Sequence, residues 1–468
     1  MRHIILILVL ARAFWFAPMA DAQLTDTIRG AQAIAAAVKP AAGDLDSLEA
    51  RALTVNPTIR AAEARIDAAR RREDAAGARP DPMLMAGIEN LSLGREKTLS
   101  AHGEVTAGGP DPMTMRMLGV GQTIPFPGKL SLRMRIAQRE TDAVRAALDG
   151  AKRSVVRDVR SAYYELAFLD QAFAVATHSE EVLGTFIQVT QARYGAGVAG
   201  QQEVLEARVE AARLAETAAS IQPQRLAALA RLNAALDRPS DTPVSSPAIP
   251  ASIVHAAAGD SARVVRFATT ALGAPLADSP LPTVAELQEI AVRQNPEIRE
   301  HEAMIAAQAA RAELARKDAL PDVDVSLQYG FRPGLTDMLT ATVSLPIPLQ
   351  RRRKQNQLVG AASDELAALN EEHRAKVNAL NADIAGRVAD MERERTQLAL
   401  YVKAILPQGR AALASATASY QSGKVEFLTV LDSQSALFGY ETDYFRALAD
   451  FAKNLAELER VVGQEVLR

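Results

Sequence analysis

Two short stretches of this sequence place a phenol, glycines and an acid at matched spacing. Tyr194-Gly195-Ala196-Gly197 precedes Val204-Leu205-Glu206, and Tyr420-Gln421-Ser422-Gly423 precedes Val430-Leu431-Asp432. Tyr, Gly, Val, Leu and an acid recur in one order at one constant offset, which points to duplicated architecture. No nucleophile–base arrangement, phosphate loop or metal motif accompanies them, so no catalytic residue and no cofactor is expected.

Other residues with chemical potential are more scattered. Met83, Met85, Met113, Met115 and Met117 could offer thioethers to soft copper or silver. Methionine is also flexible apolar packing, and a lipid-facing or loop role is the reading their setting favours. His102, His178, His255, His301 and His373 lack ligand spacing, and no metal site is expected. Arg351-Arg352-Arg353-Lys354 could meet lipid headgroups or a partner's acids, or simply open a solvated helix.

The elements that carry these residues come in two copies. Leu45-Asp46-Ser47-Leu48-Glu49 leads to Asn56-Pro57, and Val284-Ala285-Glu286-Leu287 leads to Asn295-Pro296. Each is followed by an alanine-rich helical stretch ending at Pro80 or Pro321, then by a β-like pair, then by a long helical pattern. The first repeat spans 45–238, with a hairpin at 81–125 and helices at 129–193 and 201–237. The second spans 283–468, with a hairpin at 322–346 and helices at 351–419 and 427–467. Between them, 239–282 is rich in Pro and Ala and reads as a linker.

Val144, Leu148, Val155, Val159, Leu166 and Leu169 mark an apolar seam in the first long helix. Val377, Leu380, Ile384, Val388, Met391, Leu398, Val402 and Ile405 mark one in the second. This is coiled-coil patterning, and each helix could reach roughly 100 Å. Pro407 should kink or break the second.

The strands alternate. Val323, Val325, Leu327, Tyr329 and Phe331 interleave with Asp324, Ser326 and Gln328; Leu339, Ala341, Val343 and Leu345 interleave with Thr340, Thr342 and Ser344. Their length suits a membrane-spanning β-strand of ~9–11 residues. Met83–Asn90 and Met115–Ile124 form a blurrier pair around a loop at Gly108-Gly109-Pro110. Four strands cannot close a barrel, and an open edge in lipid leaves backbone groups unpaired at several kcal/mol each. Copies from other chains must complete it. Two copies would give a filled interior, whereas three would leave an open lumen lined by Asp324, Ser326, Gln328, Thr340, Thr342 and Ser344.

The bulk properties agree. The 468 residues are 48% hydrophobic and 23% charged, with 4% aromatics and no cysteine. Disulfides, thiolate chemistry and a lipoprotein anchor are thereby excluded. A net charge of -3 argues against a nucleic-acid partner. Arg2 and His3 before an apolar run, with Ala20-Asp21-Ala22 after it, read as a secretory signal over 1–22, followed by an extension at 23–44.

From about Leu45 to Val462 the chain resembles the TolC family of outer-membrane efflux channels. The resemblance is carried by the duplicated plan, the Asn-Pro pairs, the strand endings Gln122-Thr123-Ile124-Pro125 and Val343-Ser344-Leu345-Pro346, and the two Tyr-x-x-Gly turns. Glu89-Asn90-Leu91 and Pro125-Phe126-Pro127-Gly128-Lys129 are similar to its heavy-metal branch, of cobalt–zinc–cadmium or copper–silver type.

The resemblance implies a mainly α fold with a small β part: a trimeric α/β-barrel in the outer membrane of a Gram-negative bacterium, extending into the periplasm. It implies a homotrimer that contacts outer-membrane lipid and works with a periplasmic adaptor and an inner-membrane pump of the RND type. Exported cations or drugs would pass through it passively. The alternative is a periplasmic coiled-coil adaptor or scaffold, which leaves four spanning-length strands without a purpose.

The family closes its periplasmic end with an acidic ring. Two family aspartates fall on Thr429 and Asp432, and only the second is an acid here. Three such carboxylates would favour cations and raise one another's pKa. The family also latches its helix pairs together. By the same alignment Tyr420 would donate to Glu203, the latch arginine falls on Val425, Gln202 stands in place of its partner, and Lys424 is an adjacent substitute. The turns carrying Tyr194, Gly195, Gly197, Gly200, Gly423 and Val425 would form the tips between which adaptor hairpins dock.

Overall fold

The structure, a computed structural model, describes residues 45–90, 97–99, 105–107, 114–245, 247–258, 281–332 and 334–467. The signal at 1–22, the extension at 23–44, His102, the Gly108-Gly109-Pro110 loop, Met113 and residues 259–280 of the linker lie outside the described residues.

Each repeat opens with a short helix pair. In the first, α1 (Leu45–Val55) meets α2 (Pro57–Ala76). In the second, α6 (Val284–Gln294) meets α7 (Pro296–Asp318). The Asn-Pro pairs explain the joints. Asn56 caps α2 by accepting from the Thr58 N–H at 2.9 Å, and Asn295 caps α7 by accepting from the Glu297 and Ile298 N–H groups at 2.8 and 3.1 Å. Proline at the first helical position lacks a donor that would have had no partner anyway. The two amides also reach out of their helices. Asn56 Nδ2 donates to the Ala235 carbonyl at 2.9 Å and Asn295 Nδ2 donates to the Val461 carbonyl at 2.7 Å, each satisfying a last-turn acceptor of its own repeat's final helix.

The long helices follow. α3 (Lys129–Gly195) is 67 residues of unbroken helix, followed by α4 (Gln201–Ala235). In the second repeat α8 (Gln355–Leu400) runs through a π-helical turn, Tyr401–Ile405, into α9 (Leu406–Gln421), and α10 (Phe427–Val462) returns. The wide turn sits just ahead of Pro407, which has no N–H for the α-helical ladder. The helix widens there and continues, instead of ending. Val155, Val159, Leu166 and Leu169 of the first seam are buried, as are Ile384, Met391 and Leu398 of the second. With residues from α1, α6 and α10 they form the main core.

The linker is less loose than its composition suggests. It contains α5 (Ala251–Ala258), whose Ile253, Ala256 and Ala257 enter the main core. Its start is tied down where Asn233 Nδ2 donates to the Ser240 and Thr242 carbonyls.

The four main strands form one antiparallel sheet in the order β1-β4-β5-β6: β1 (Met83–Glu89), β4 (Met115–Ile124), β5 (Val323–Phe331) and β6 (Met338–Ser344). β4 and β5 join the two repeats, and β1 and β6 are the edges. The first hairpin also carries a small ladder, β2 (Lys97–Leu99) with β3 (Val105–Ala107), that the blurred pattern did not reveal.

Candidate functional site

The helix tips are built twice by the same local physics. At the end of α3, the Gly197 N–H donates to the Tyr194 carbonyl at 2.9 Å and the Val198 N–H to the Arg193 carbonyl at 2.9 Å. At the end of α9, the Gly423 N–H donates to the Tyr420 carbonyl at 3.0 Å and the Lys424 N–H to the Ser419 carbonyl at 2.9 Å. Gly197 and Gly423 take φ of 71° and 70°. That left-handed conformation closes a helix end, and glycine adopts it without a Cβ penalty.

The two tips part company at their tyrosines. Tyr420 is 5% exposed and donates its hydroxyl to Glu203 Oε2 at 2.6 Å, linking α9 of the second repeat to the first turn of α4 in the first. Arg193 stacks over the Tyr420 ring at 4.7 Å, and Phe427 packs at 5.3 Å. Burial, and then the Glu203 carboxylate, push the Tyr420 phenol up to about 12. Glu203 Oε1 meanwhile lies 3.5 Å from the Gly200 N–H at the start of α4. A small apolar cluster of Leu183, Ala207, Leu214, Ala416, Phe427, Val430 and Leu431 surrounds the contact. Tyr194, at the equivalent position, is 49% exposed.

The structure does not bring Gln202 or Lys424 into this contact. Gln202 Nε2 donates to Glu206 Oε1 at 2.8 Å, because residues four apart face each other on one helix. Lys424 is exposed in the turn, and among the described residues no carboxylate lies within ion-pair distance of it. Val425 is half-buried against the apolar cluster, whereas Gly195, Gly197, Gly200 and Gly423 are exposed. Thr429 and Asp432 lie one turn apart on the exposed side of α10, beside exposed Leu428.

At the other end, the strand pairing sorts the sheet into two faces. Residues paired across strands share a face, and faces alternate along each strand. Leu84, Ala86 and Ile88 align with Leu118 and Val120, these with Leu327 and Tyr329, and these with Leu339 and Ala341. Gly119, Gly121 and Thr123 align with Gln328, Ser326 and Asp324, and these with Thr340, Thr342 and Ser344. All six expected lumen residues therefore share the polar face. Met83, Met85, Met115 and Met117 lie on that polar face too, not on the apolar one. The register, which their own blurred alternation did not fix, sets them on the side opposite Leu84, Leu118 and Leu327.

The strand–helix junction falls on the run Pro125-Phe126-Pro127-Gly128-Lys129. Lys129 is buried; its Nζ lies 2.8 Å from Asp322 and 3.4 Å from Asp318, and donates to the Leu320 carbonyl at 2.9 Å. The Phe126 N–H donates to the same Asp322 at 2.8 Å. The Pro-Phe-Pro-Gly-Lys run thus pins the start of α3 to the α7–β5 link of the other repeat. Among the histidines, His301 and His373 prove to be neighbours, with rings stacked at 5.8 Å. Among the described residues no cluster of three or more His, Asp or Glu side chains is placed to hold a metal, and no helix is long and apolar enough to cross a membrane.

A sequence profile of outer membrane efflux proteins matches residues 48–238 and 287–464, skipping the linker. The chain belongs to the outer membrane efflux protein family. It is 25% identical over 358 residues to the cobalt-zinc-cadmium resistance protein CzcC of Cupriavidus metallidurans, covering 73% of this chain and 75% of that one. Its fold is similar to the outer-membrane channel OprN, with a TM-score of 0.71 at 19% identity over 91% of both chains. It is also similar to the outer membrane protein VceC of Vibrio cholerae, with a TM-score of 0.70 at 19% identity over 90% of this chain and 96% of that one. CusC, whose transmembrane channel formation has been described, aligns with a TM-score of 0.71 at 16% identity over 92% of this chain and 96% of that one. As an outer membrane efflux protein, the chain is a channel component. Its long helices, open-edged sheet and two helix tips are the parts of that channel.

Proposed function

We propose that three copies of this chain close a twelve-stranded barrel in the outer membrane and continue into a periplasmic tunnel of helices. The observation that carries this reading is the two-faced, open-edged sheet. Leu84, Val120, Leu327 and Val343 are exposed on one face, which suits lipid. Asp324, Ser326, Gln328 and Thr342 occupy the other, which suits water. Among the described residues β1 and β6 are the sheet edges, whose outward backbone groups lipid could not satisfy, so neighbouring copies pair with them in this reading.

In this reading, transport is passive. A pump in the inner membrane supplies the energy, and a periplasmic adaptor seats between the helix tips carrying Tyr194, Gly195, Gly197, Gly200, Gly423 and Val425. Asp432 of each copy contributes to a carboxylate ring at the narrow end, with Thr429 a turn away. The Tyr420–Glu203 hydrogen bond holds the tips closed between transport events. The likeness to a cobalt-zinc-cadmium resistance protein supports divalent metal cations as cargo.

Deletion of the gene tests this. The strain is expected to become sensitive to cobalt, zinc or cadmium and to recover on complementation. Unchanged tolerance to these metals and to drugs would contradict an efflux role.

A further inference from the structure

The polar face of the sheet has one feature that a generic wet lumen does not require. Among the described strand residues, every apolar side chain on it is a methionine: Met83 and Met85 on β1, Met115 and Met117 on β4, and Met338 on β6. The opposite face carries Leu, Ile, Val, Ala, Phe and Tyr, with Arg116 and Gln122, but no methionine among the described residues. Lumen faces of such barrels are ordinarily polar, so aliphatic packing alone would not confine one residue type to this side.

The methionines also converge. Gly330 on β5 pairs with Met117 on one side and Met338 on the other. Met115 folds over the same glycine: its Sδ lies only 2.8 Å from where a Gly330 Cβ would stand. Met117 of β4 and Met338 of β6 thus flank, about 4.8 Å away on either side, one residue that has no side chain, and the Met115 thioether lies over it. Glu89 pairs with Met115 at the edge of this group. Met85 lies similarly over Gly121, with its Cε 3.2 Å from that glycine's Cβ position, further along the face.

Thioethers are soft, uncharged ligands that favour Cu⁺ and Ag⁺ over hard divalent ions. We propose that Met115, Met117 and Met338 form a subsite for soft monovalent cations on the lumen side of the barrel, with Met83 and Met85 extending it along the wall. The proposal rests on the reading that this face lines the conducting lumen.

The test uses the full mature chain in detergent and silver nitrate in chloride-free buffer. Bound Ag⁺ is expected to slow peroxide oxidation of Met117 and Met338, read by mass spectrometry, while leaving the exposed helical Met134 and Met304 unaffected. The triple variant Met115→Leu, Met117→Leu, Met338→Leu keeps the packing volume and is expected to bind Ag⁺ at least about tenfold more weakly by calorimetry. Oxidation of Met117 and Met338 at the same rate with and without Ag⁺ would overturn the proposal, as would a Leu variant that binds Ag⁺ like the wild type. Conductance of the same samples in planar bilayers separates the two readings. Pores without Ag⁺ protection reject the subsite and leave the channel standing, whereas protection without pores rejects the channel reading.

Discussion

Tyr420 donates its hydroxyl to Glu203 across the two repeats, while Tyr194, its counterpart in the duplication, is exposed. The reason is the partner position. Glu203 stands opposite Tyr420, but the residue that corresponds to Glu203 in the second repeat is Thr429, which carries no charge. The duplicated tips are alike in backbone and unlike in bonding, so an effect on closure should come from one tyrosine only.

Replacing Tyr420 by Phe removes a hydrogen bond to a carboxylate, a class of contact that contributes about 1.5–3 kcal/mol. The variant is expected to raise single-channel conductance and antibiotic leakage. Tyr194→Phe is expected to leave both unchanged. Equal effects, or none from Tyr420→Phe, would remove the latch from the account.

The same contact has a pH signature. The Tyr420 phenol is raised from its ordinary value of 10.0 to about 12, so the folded tip holds its proton more tightly than the unfolded chain. Its contribution is fully present below pH 10 and is lost as pH rises from there through about 12. Bilayer conductance should climb over that window in the wild type, and the climb should be absent in Tyr420→Phe.

The joint between α6, α7 and α10 depends on two small features. Asn295→Ala removes both a helix cap and the bond to the Val461 carbonyl, with an expected cost of about 1–3 kcal/mol. Gly463 ends α10 at a φ of 86°, and a Cβ there would stand 2.5 Å from the Gln294 carbonyl oxygen. Gly463→Ala should therefore lower thermal stability as well, measured by loss of helical circular dichroism. A neutral result for both would mean that this joint does not limit stability.

Lys129 offers a sharper test of how sheet and helices are coupled. Lys129→Met keeps the length and apolar stem but leaves Asp322 without its cation and the Leu320 carbonyl without a donor. Because Asp322 keeps partial contact with solvent, about 1–3 kcal/mol is expected, the range for losing a charged hydrogen bond and leaving a buried acceptor without a donor. Thermal unfolding should shift accordingly, and the double variant with Asp322→Asn should recover part of the loss.

Part of this fold is legible in the sequence. Val323 to Ser344 alternates cleanly because one face of β5 and β6 is apolar and the other polar. The helix seams were legible because Val159, Leu169, Ile384 and Met391 must all be buried. Long-range pairings were not. The faces of β1 and β4 needed the register, since methionine and glycine carry little contrast. The ion pairs of Lys129 were not legible, because a lone lysine carries no sign of carboxylates almost two hundred residues away. Within the Pro/Ala-rich linker, α5 is short and takes its stability from the core it joins. The Tyr420–Glu203 pair was reachable through family resemblance alone, since hydrogen bonds between repeats leave no periodic trace.

The central claim is that one chain holds a third of a closed barrel. Native mass spectrometry of the mature protein, extracted from outer-membrane fractions in mild detergent, tests it most directly. The account predicts particles of three chains that fall to one only on heating. A monodisperse single chain that stays folded in water without detergent would contradict it.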